Sequence, residues 1–185
     1  MKRVITLVVA CLLMVCMGVA AQTKDRKLSK KEMDQLQAQI DSAQHAEALS
    51  AIADTAFTLQ ADRVVFKYGQ RAYVVSNTNF VAVANGRATV QVSFNIPVAG
   101  PNGMGGVTVE GQISDYRLTF DKHDTAFLRF NVQGAAISAQ VFITMYKYSN
   151  VASVDILPNF NSNRITLEGV ILPNNRSFVV QGNTL

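Results

Sequence analysis

From Phe57 onward the apolar residues recur at every second position, and this one habit limits what the chain can fold into. Successive side chains of a strand point to opposite faces, so a period of two means one dry face and one wet face. Val64, Phe66 and Tyr68 alternate with Arg63, Val65 and Lys67, and Val90, Val92, Phe94 and Ile96 with Gln91, Ser93 and Asn95. Tyr116, Leu118 and Phe120 alternate with Asp115, Arg117 and Thr119, and Leu128, Phe130 and Val132 with Arg129 and Asn131. Turn formers separate these runs. Asn85-Gly86 is the strongest hairpin signal, because both residues accept the positive φ of a two-residue turn. Residues 121–125, Gln133-Gly134, Ser149-Asn150 and 173–176 mark further turns. The pattern predicts a mainly β fold, about nine or ten strands in an antiparallel up-and-down meander. So many one-sided strands bury their dry faces by closing into a barrel or folding as a sandwich, and a barrel is expected.

Residues 22–56 differ from the rest. The stretch from 23 on has no Gly or Pro and carries a capping box, Ser29-Lys30-Lys31-Glu32. Met33, Leu36, Ile40 and Ala43 then recur at three- and four-residue steps, which predicts one helix over 29–53 with a thin apolar stripe. Packing against its own domain is the simplest use of that stripe.

The chain opens Met1-Lys2-Arg3, runs apolar through 4–15 and reaches small residues at Val19 and Ala21. This three-part pattern reads as a secretory signal over 1–21, cleaved near Ala21, giving a soluble periplasmic or secreted protein. Cys11 and Cys16, the only two cysteines, leave with it, so the mature chain has no disulfide and no Cys metal site. It also loses two of the 17 basic residues against 13 acidic ones, and the net charge falls from +4 to +2. The remaining basic residues are scattered and form no footprint for nucleic acid, and the mature chain has no stable membrane span.

The glycine-rich stretch 100–106 invites a phosphate-loop reading that its spacing refuses. Gly103 and Gly105 begin a G-x-G-x-x-G pattern, but Thr108 stands where the third glycine belongs. Gly106 and Gly111 have P-loop spacing, yet Gln112 and Ile113 replace the lysine and hydroxyl. Val107-Thr108-Val109-Glu110 continues as a strand, so no helix N-terminus faces the loop. Turn chemistry is the better reading.

Other chemistry is equally sparse. His45 lies in the helix, and His123 lies in the turn Asp121-Lys122-His123-Asp124 without a second ligand cluster, so no metal or other cofactor is expected. Glu110 and Glu168 fall on polar strand faces, and Glu168 shares its face with Arg164. If the barrel held a ligand, that pair could lie in a polar cavity; solvent-exposed cross-strand partners are the ordinary alternative. Phe80 and Phe160 sit in Asn-rich loops, where amides and a ring could meet a sugar but usually shape turns. Along 137–148, Ile137, Ala139, Val141, Ile143 and Met145 form one face, while Phe142, Tyr146 and Tyr148 sit on the other beside Ser138, Gln140 and Thr144. Either the N-terminal helix covers that second face, which is the preferred reading, or it is exposed to a ligand or partner.

The segments FTLQADRVVFKYG (57–69), SNTNFVAV (76–83), GPNGMGGVTVEGQIS (100–114), VQGAAISAQVFIT (132–144) and NFNSNRITLEGVILP (159–173) resemble domain-of-unknown-function family 4251 of exported Bacteroidetes proteins. The resemblance spans nearly all of 57–185 and implies an N-terminal signal followed by a lipocalin-like barrel. It transfers no catalytic or binding residue. The expected function is therefore that of an exported, non-catalytic β-domain binding a small apolar or amphipathic ligand, with Phe80, Phe142, Tyr146, Phe160, Arg164 and Glu168 as candidate contacts. The alternative is a cell-envelope interaction or scaffolding module, whose partner is an envelope protein; an enzyme stands third.

Overall fold

The structure is a computed structural model that describes residues 28–66, 68–93, 106–135, 138–159 and 164–184. The expectations placed on 1–21, Phe94, Ile96, 100–105, Ile137 and Phe160 lie outside the described residues.

Helix α1, Lys30–Ala53, begins where the capping box places it. The Ser29 amide donates to Glu32 Oε2 at 2.8 Å, and the Glu32 amide donates to Ser29 Oγ at 3.3 Å. The bond from the Ser29 backbone holds the Glu32 carboxyl below its usual range. The apolar stripe is used differently from the sequence expectation. Met33, Leu36 and Ile40 are exposed, whereas Ala48, Ala51 and Ile52 are buried with the barrel core. Two alanines beside one isoleucine let the helix backbone come close, and the last turns of α1 close one end of the barrel. His45 Nδ1 donates to the Ser149 carbonyl at 2.8 Å, and Glu47 pairs with Arg176.

Nine strands follow: β1 (Phe57–Val65), β2 (Arg71–Tyr73), β3 (Phe80–Ala84), β4 (Arg87–Ser93), β5 (Gly106–Phe120), β6 (Ala126–Gly134), β7 (Ser138–Met145), β8 (Val151–Pro158) and β9 (Ile165–Pro173). Their order is β2-β1-β3-β4-β5-β6-β7-β8-β9, and β1 also pairs with β9. Every pairing is antiparallel, so eight strands close an up-and-down barrel and β2 is extra. One side of β1 is shared: β3 pairs with 57–60 and β2 with 63–65. Closure gives each of the eight barrel strands a partner strand on both sides. Asn85 (φ 52°) and Gly86 (φ 73°) make the tight β3–β4 turn that their sequence called for.

Two register shifts explain where the apolar alternation changes phase. In β1, Phe57, Leu59 and Ala61 face inward, the ladder with β9 slips between Ala61 and Arg63, and Val64 then faces inward. The strand stops at Val65, so Phe66 and Tyr68 do not continue its dry face as the alternation suggested. In β5 the slip lies between Ser114 and Arg117, with Asp115 at φ 54° and its Oδ2 accepting from Asn131 Nδ2 at 2.8 Å. A bulge re-aims the residues beyond it. Here it turns Tyr116 inward onto Phe130, ring centroids 5.8 Å apart.

The described inner face is lined by apolar side chains. Phe57, Leu59, Leu128, Phe130, Ile143, Met145, Leu167 and Ile171 are buried and belong to one apolar cluster with the helix end. Burial of each such side chain stabilises by about 1.5–3 kcal/mol. Strands also approach closely: a Cβ on Gly169 would lie 2.0 Å from the Gln60 carbonyl oxygen.

After Pro173 a 3-10 turn, Asn174–Arg176, leads into an extended tail that lies over the outer face of β1, β3 and β4. Asn174 accepts from Thr58 Oγ1 and donates to the Val83 carbonyl, each at 2.8 Å, and Gln60 Nε2 donates to the Phe178 carbonyl at 2.6 Å. Gln91 is fully buried beneath the tail. Its Nε2 donates to the Thr78 and Val180 carbonyls, and its Oε1 accepts from Thr108 Oγ1 and the Gly182 amide.

Candidate interaction surface

The alternation that sends one set of side chains into the barrel puts the other set on its outer face, and the register arranges that set in rows. One row reads Arg117, Arg129, Phe142, Asp155, Thr166 across β5 to β9. The next reads Thr119, Phe127, Thr144, Ser153, Glu168 and, on β1, Arg63. Helix α1 does not cover this face, contrary to the preferred sequence reading. Phe127 is 41% exposed, Phe142 36%, Tyr146 62%, Tyr148 64% and Val151 52%. The helix buries its alanines at the barrel end instead, which leaves the outer aromatic residues wet.

Three shallow grooves lie along the face, one of 370 Å³ lined by Asn131, Gln133, Ser138, Gln140 and Asn159. Phe142 lines one of 260 Å³ with Arg117, Arg129, Phe127, Thr119 and Thr144. Tyr146 and Glu168 line another of 360 Å³ with Arg63, Val151 and Ser153. Glu168 holds Arg63 at 2.7 Å, and the Arg63 guanidinium lies 5.6 Å from the centre of the Tyr73 ring. Arg164 pairs with Asp155 at 3.7 Å, and Asp155 also accepts from Thr166 Oγ1 at 2.5 Å. The Arg164–Glu168 pair considered from the sequence therefore does not form. The β1 bulge sets Arg63 directly across from Glu168, and both residues stand outside the barrel.

Phe80 is displaced from this surface altogether. It is buried on the outer side of β3, opposite Gln60 and Gln91, both of which bond to the tail. The asparagine beside it serves the backbone: Asn79 donates to the Val75 carbonyl at 3.0 Å and accepts from the Ser93 amide at 2.8 Å. Phe142, Tyr146 and Glu168 thus share the uncovered face, with Arg164 just before β9. The opposed pair Arg117 and Arg129 was not singled out in the sequence. Its signal was two arginines at wet positions, whose meeting depends on a register the bulge decides.

Glu110 and Glu168, the two carboxylates read on polar strand faces, are held apart by the topology. Glu110 on β5 and Glu168 on β9 are four strands apart whichever way one goes round the barrel. Glu110 accepts from Arg87 at 2.9 Å and Gln181 at 3.1 Å, and these bonds, Arg87 first, hold its carboxyl below the usual range. Asp121 Oδ1 accepts from the Thr125 amide at 2.9 Å and the His123 amide at 2.8 Å, which shapes the β5–β6 turn, and these bonds, Thr125 first, lower its own pKa. Among the described residues no three His, Cys, Asp or Glu side chains gather as metal ligands, and no helix is long and apolar enough to cross a membrane.

The family model described as domain of unknown function (DUF4251) matches residues 39–171, more than half of the chain. The chain belongs to the DUF4251 family. The match runs from within α1 almost to the end of β9, so it includes the outer rows of this DUF4251 protein and stops before the tail. A crystal structure of a DUF4251 family protein from Bacteroides eggerthii is 48% identical, covers 76% of this chain and 94% of its own, and superposes with a TM-score of 0.67. No curated protein matches the chain.

Proposed function

We propose that this DUF4251 protein is an exported, non-catalytic module of the cell envelope that binds a protein partner through the outer face of β5 to β9. The observation that carries this reading is the contrast between the two faces of one sheet. The inner residues are buried against one another, while Phe127, Phe142, Tyr146 and Tyr148 stand exposed. Exposed aromatic residues beside arginines have the composition of interface hot spots. A lipocalin-like use, with a small apolar or amphipathic ligand inside, would draw instead on the inner side chains, which pack against one another in one apolar cluster. The outer grooves of 260, 360 and 370 Å³ are open and lie near the low end of small-molecule sites, about 300–1,000 Å³. Export follows from the signal read over 1–21, with a mature chain in the periplasm or outside the cell.

The test is photo-crosslinking in the producing cells, with a photoreactive residue placed at Phe142, at Tyr146 or, as a control, at Thr89 across the barrel. One discrete adduct in the envelope fraction from the first two positions, absent from the third and abolished by changing Phe127 to serine, is the expected result. No adduct, or the same adduct from all three positions, would remove the outer face as the working surface. Retention of Met1 in the recovered chain would remove the export.

A further inference from the structure

We propose that Arg117 and Arg129 clamp an acidic side chain of that partner, with Phe127 and Phe142 receiving an apolar residue next to it. The inference rests on the outer-face reading above and gives the partner's chemistry. Register puts Arg117 directly opposite Arg129 on neighbouring strands. Directly opposed residues have Cβ atoms about 4.5–5.5 Å apart, and like charges placed so are destabilising. Among the described residues no carboxylate pairs with either of them. Among the described residues Arg63, Arg87, Arg164 and Arg176 each hold a carboxylate, and Arg71 stands alone on β2. Arg117 and Arg129 are the two that face each other without one. The carboxylates closest by register are already engaged, Asp115 by Asn131 and Asp155 by Arg164 and Thr166.

The surroundings narrow the occupant. Phe142 lies directly across from Arg129 and Phe127 two residues before it, so the guanidinium pair is walled by rings on β6 and β7. A guanidinium presents a planar fork of donors that matches a carboxylate, and two forks can grip both of its oxygens. The groove of 260 Å³ is open and suits a side chain presented from a protein surface better than a whole small molecule. Charge complementarity and the ring walls together select an Asp or Glu flanked by an apolar residue.

The experiment titrates the labelled protein with the blocked peptide acetyl-Glu-Val-Phe-Glu-amide and follows the arginine Nε–H signals by NMR. Saturable shifts at Arg117 and Arg129, at least tenfold weaker in R117Q and in R129Q and with the Gln-Val-Phe-Gln peptide, are expected. R129Q should also melt no lower than the parent, since it removes a like-charge contact, so weaker binding there cannot be read as unfolding. Absence of saturable shifts, equal shifts from both peptides, or shifts unchanged in the variants would overturn the clamp. Tighter binding of inorganic sulfate or phosphate than of the acidic peptide would overturn it too, in favour of a non-protein anion. If the crosslink from Tyr146 survives in the R117Q/R129Q double variant, the outer-face reading stands and the clamp alone fails.

Discussion

The phenol of Tyr116 reaches across the barrel's inner face and donates a 2.6 Å hydrogen bond to the backbone carbonyl of Ile52, in the last turn of α1. A strand residue therefore shares a helix-end carbonyl with the Thr55 amide, which donates to it at 3.1 Å. Tyr116→Phe keeps the ring on Phe130 and removes one of the two bonds that carbonyl accepts, the Thr55 amide at 3.1 Å keeping the other, so the loss is that of a single hydrogen bond, about 0.5–1.5 kcal/mol. Urea unfolding should show the loss. Burial also pushes the Tyr116 phenol up, so the folded chain holds this proton more tightly than the unfolded one. That contribution is complete below the unfolded value of about 10 and fades as pH rises above it. The alkaline slope of parent stability should flatten in the phenylalanine variant.

Glu110 should act in the opposite direction. Its folded pKa is depressed, chiefly by Arg87 and then by Gln181, so its contribution is present above the unfolded value of about 4.3 and is lost as pH falls through the folded value. The Arg87 and Glu110 side chains are 52% and 33% exposed, which keeps the effect to at most about 1 kcal/mol. Urea midpoints of parent and Glu110→Gln, measured over acidic pH, should differ by a constant amount above about pH 5 and converge below about 4.3.

Gln91→Leu should loosen the tail. The substitution leaves the Thr108 hydroxyl, the Thr78 and Val180 carbonyls and the Gly182 amide without their bonds to the Gln91 side chain. The Thr108 hydroxyl is buried, and a buried group stranded in this way costs about 1–3 kcal/mol. The variant should lose far more stability than Thr89→Ala two residues earlier on β4, and limited proteolysis should cut near Val180 sooner than in the parent.

Two glycines should fail for different reasons. At Gly169 a Cβ meets the Gln60 carbonyl oxygen at 2.0 Å, so alanine must push two strands apart. Gly86 has open space around it but sits at φ +73°, where alanine is strained by about 1–3 kcal/mol. Gly86→Ala should fold with a lowered melting temperature, and Gly169→Ala should melt lower still or not fold, as circular dichroism on heating would show.

Local chemistry is what the sequence made legible. The capping box at Ser29 and Glu32, the Asn85-Gly86 turn and the two faces of β7 depend on residues a few positions apart, and all three stand as read. What depended on distant partners was harder to see. The stripe of Met33, Leu36 and Ile40 has the right spacing for a core, but position along the helix decides burial, and only Ala48, Ala51 and Ile52 reach the barrel end. Phe80 looked like a loop aromatic and became buried on the outer side of β3, because the tail returns from nearly a hundred residues later in the chain to bond its cross-strand neighbours, as Gln60 with Phe178 and Gln91 with Val180 show. The β5 bulge did leave a trace: apolar residues occupy odd positions through Ile113 and even ones from Tyr116, so the slip is written in the alternation itself.

The pairing of β1 with β9 sets the timetable of folding. From β3 onward each strand pairs with its successor, so a chain still being made can zip one hairpin after another. The closing contact waits, because Arg63 and Glu168 lie 105 positions apart. Until β9 has been synthesised the growing sheet has two open flanks, β1 and β8, and β9 seals both at once. Such distant closure makes for slow folding and leaves sticky edges for as long as it is delayed. A chain that cannot latch until its final strand arrives is still unlatched while it is being translated, which is the state that the proposed export would require.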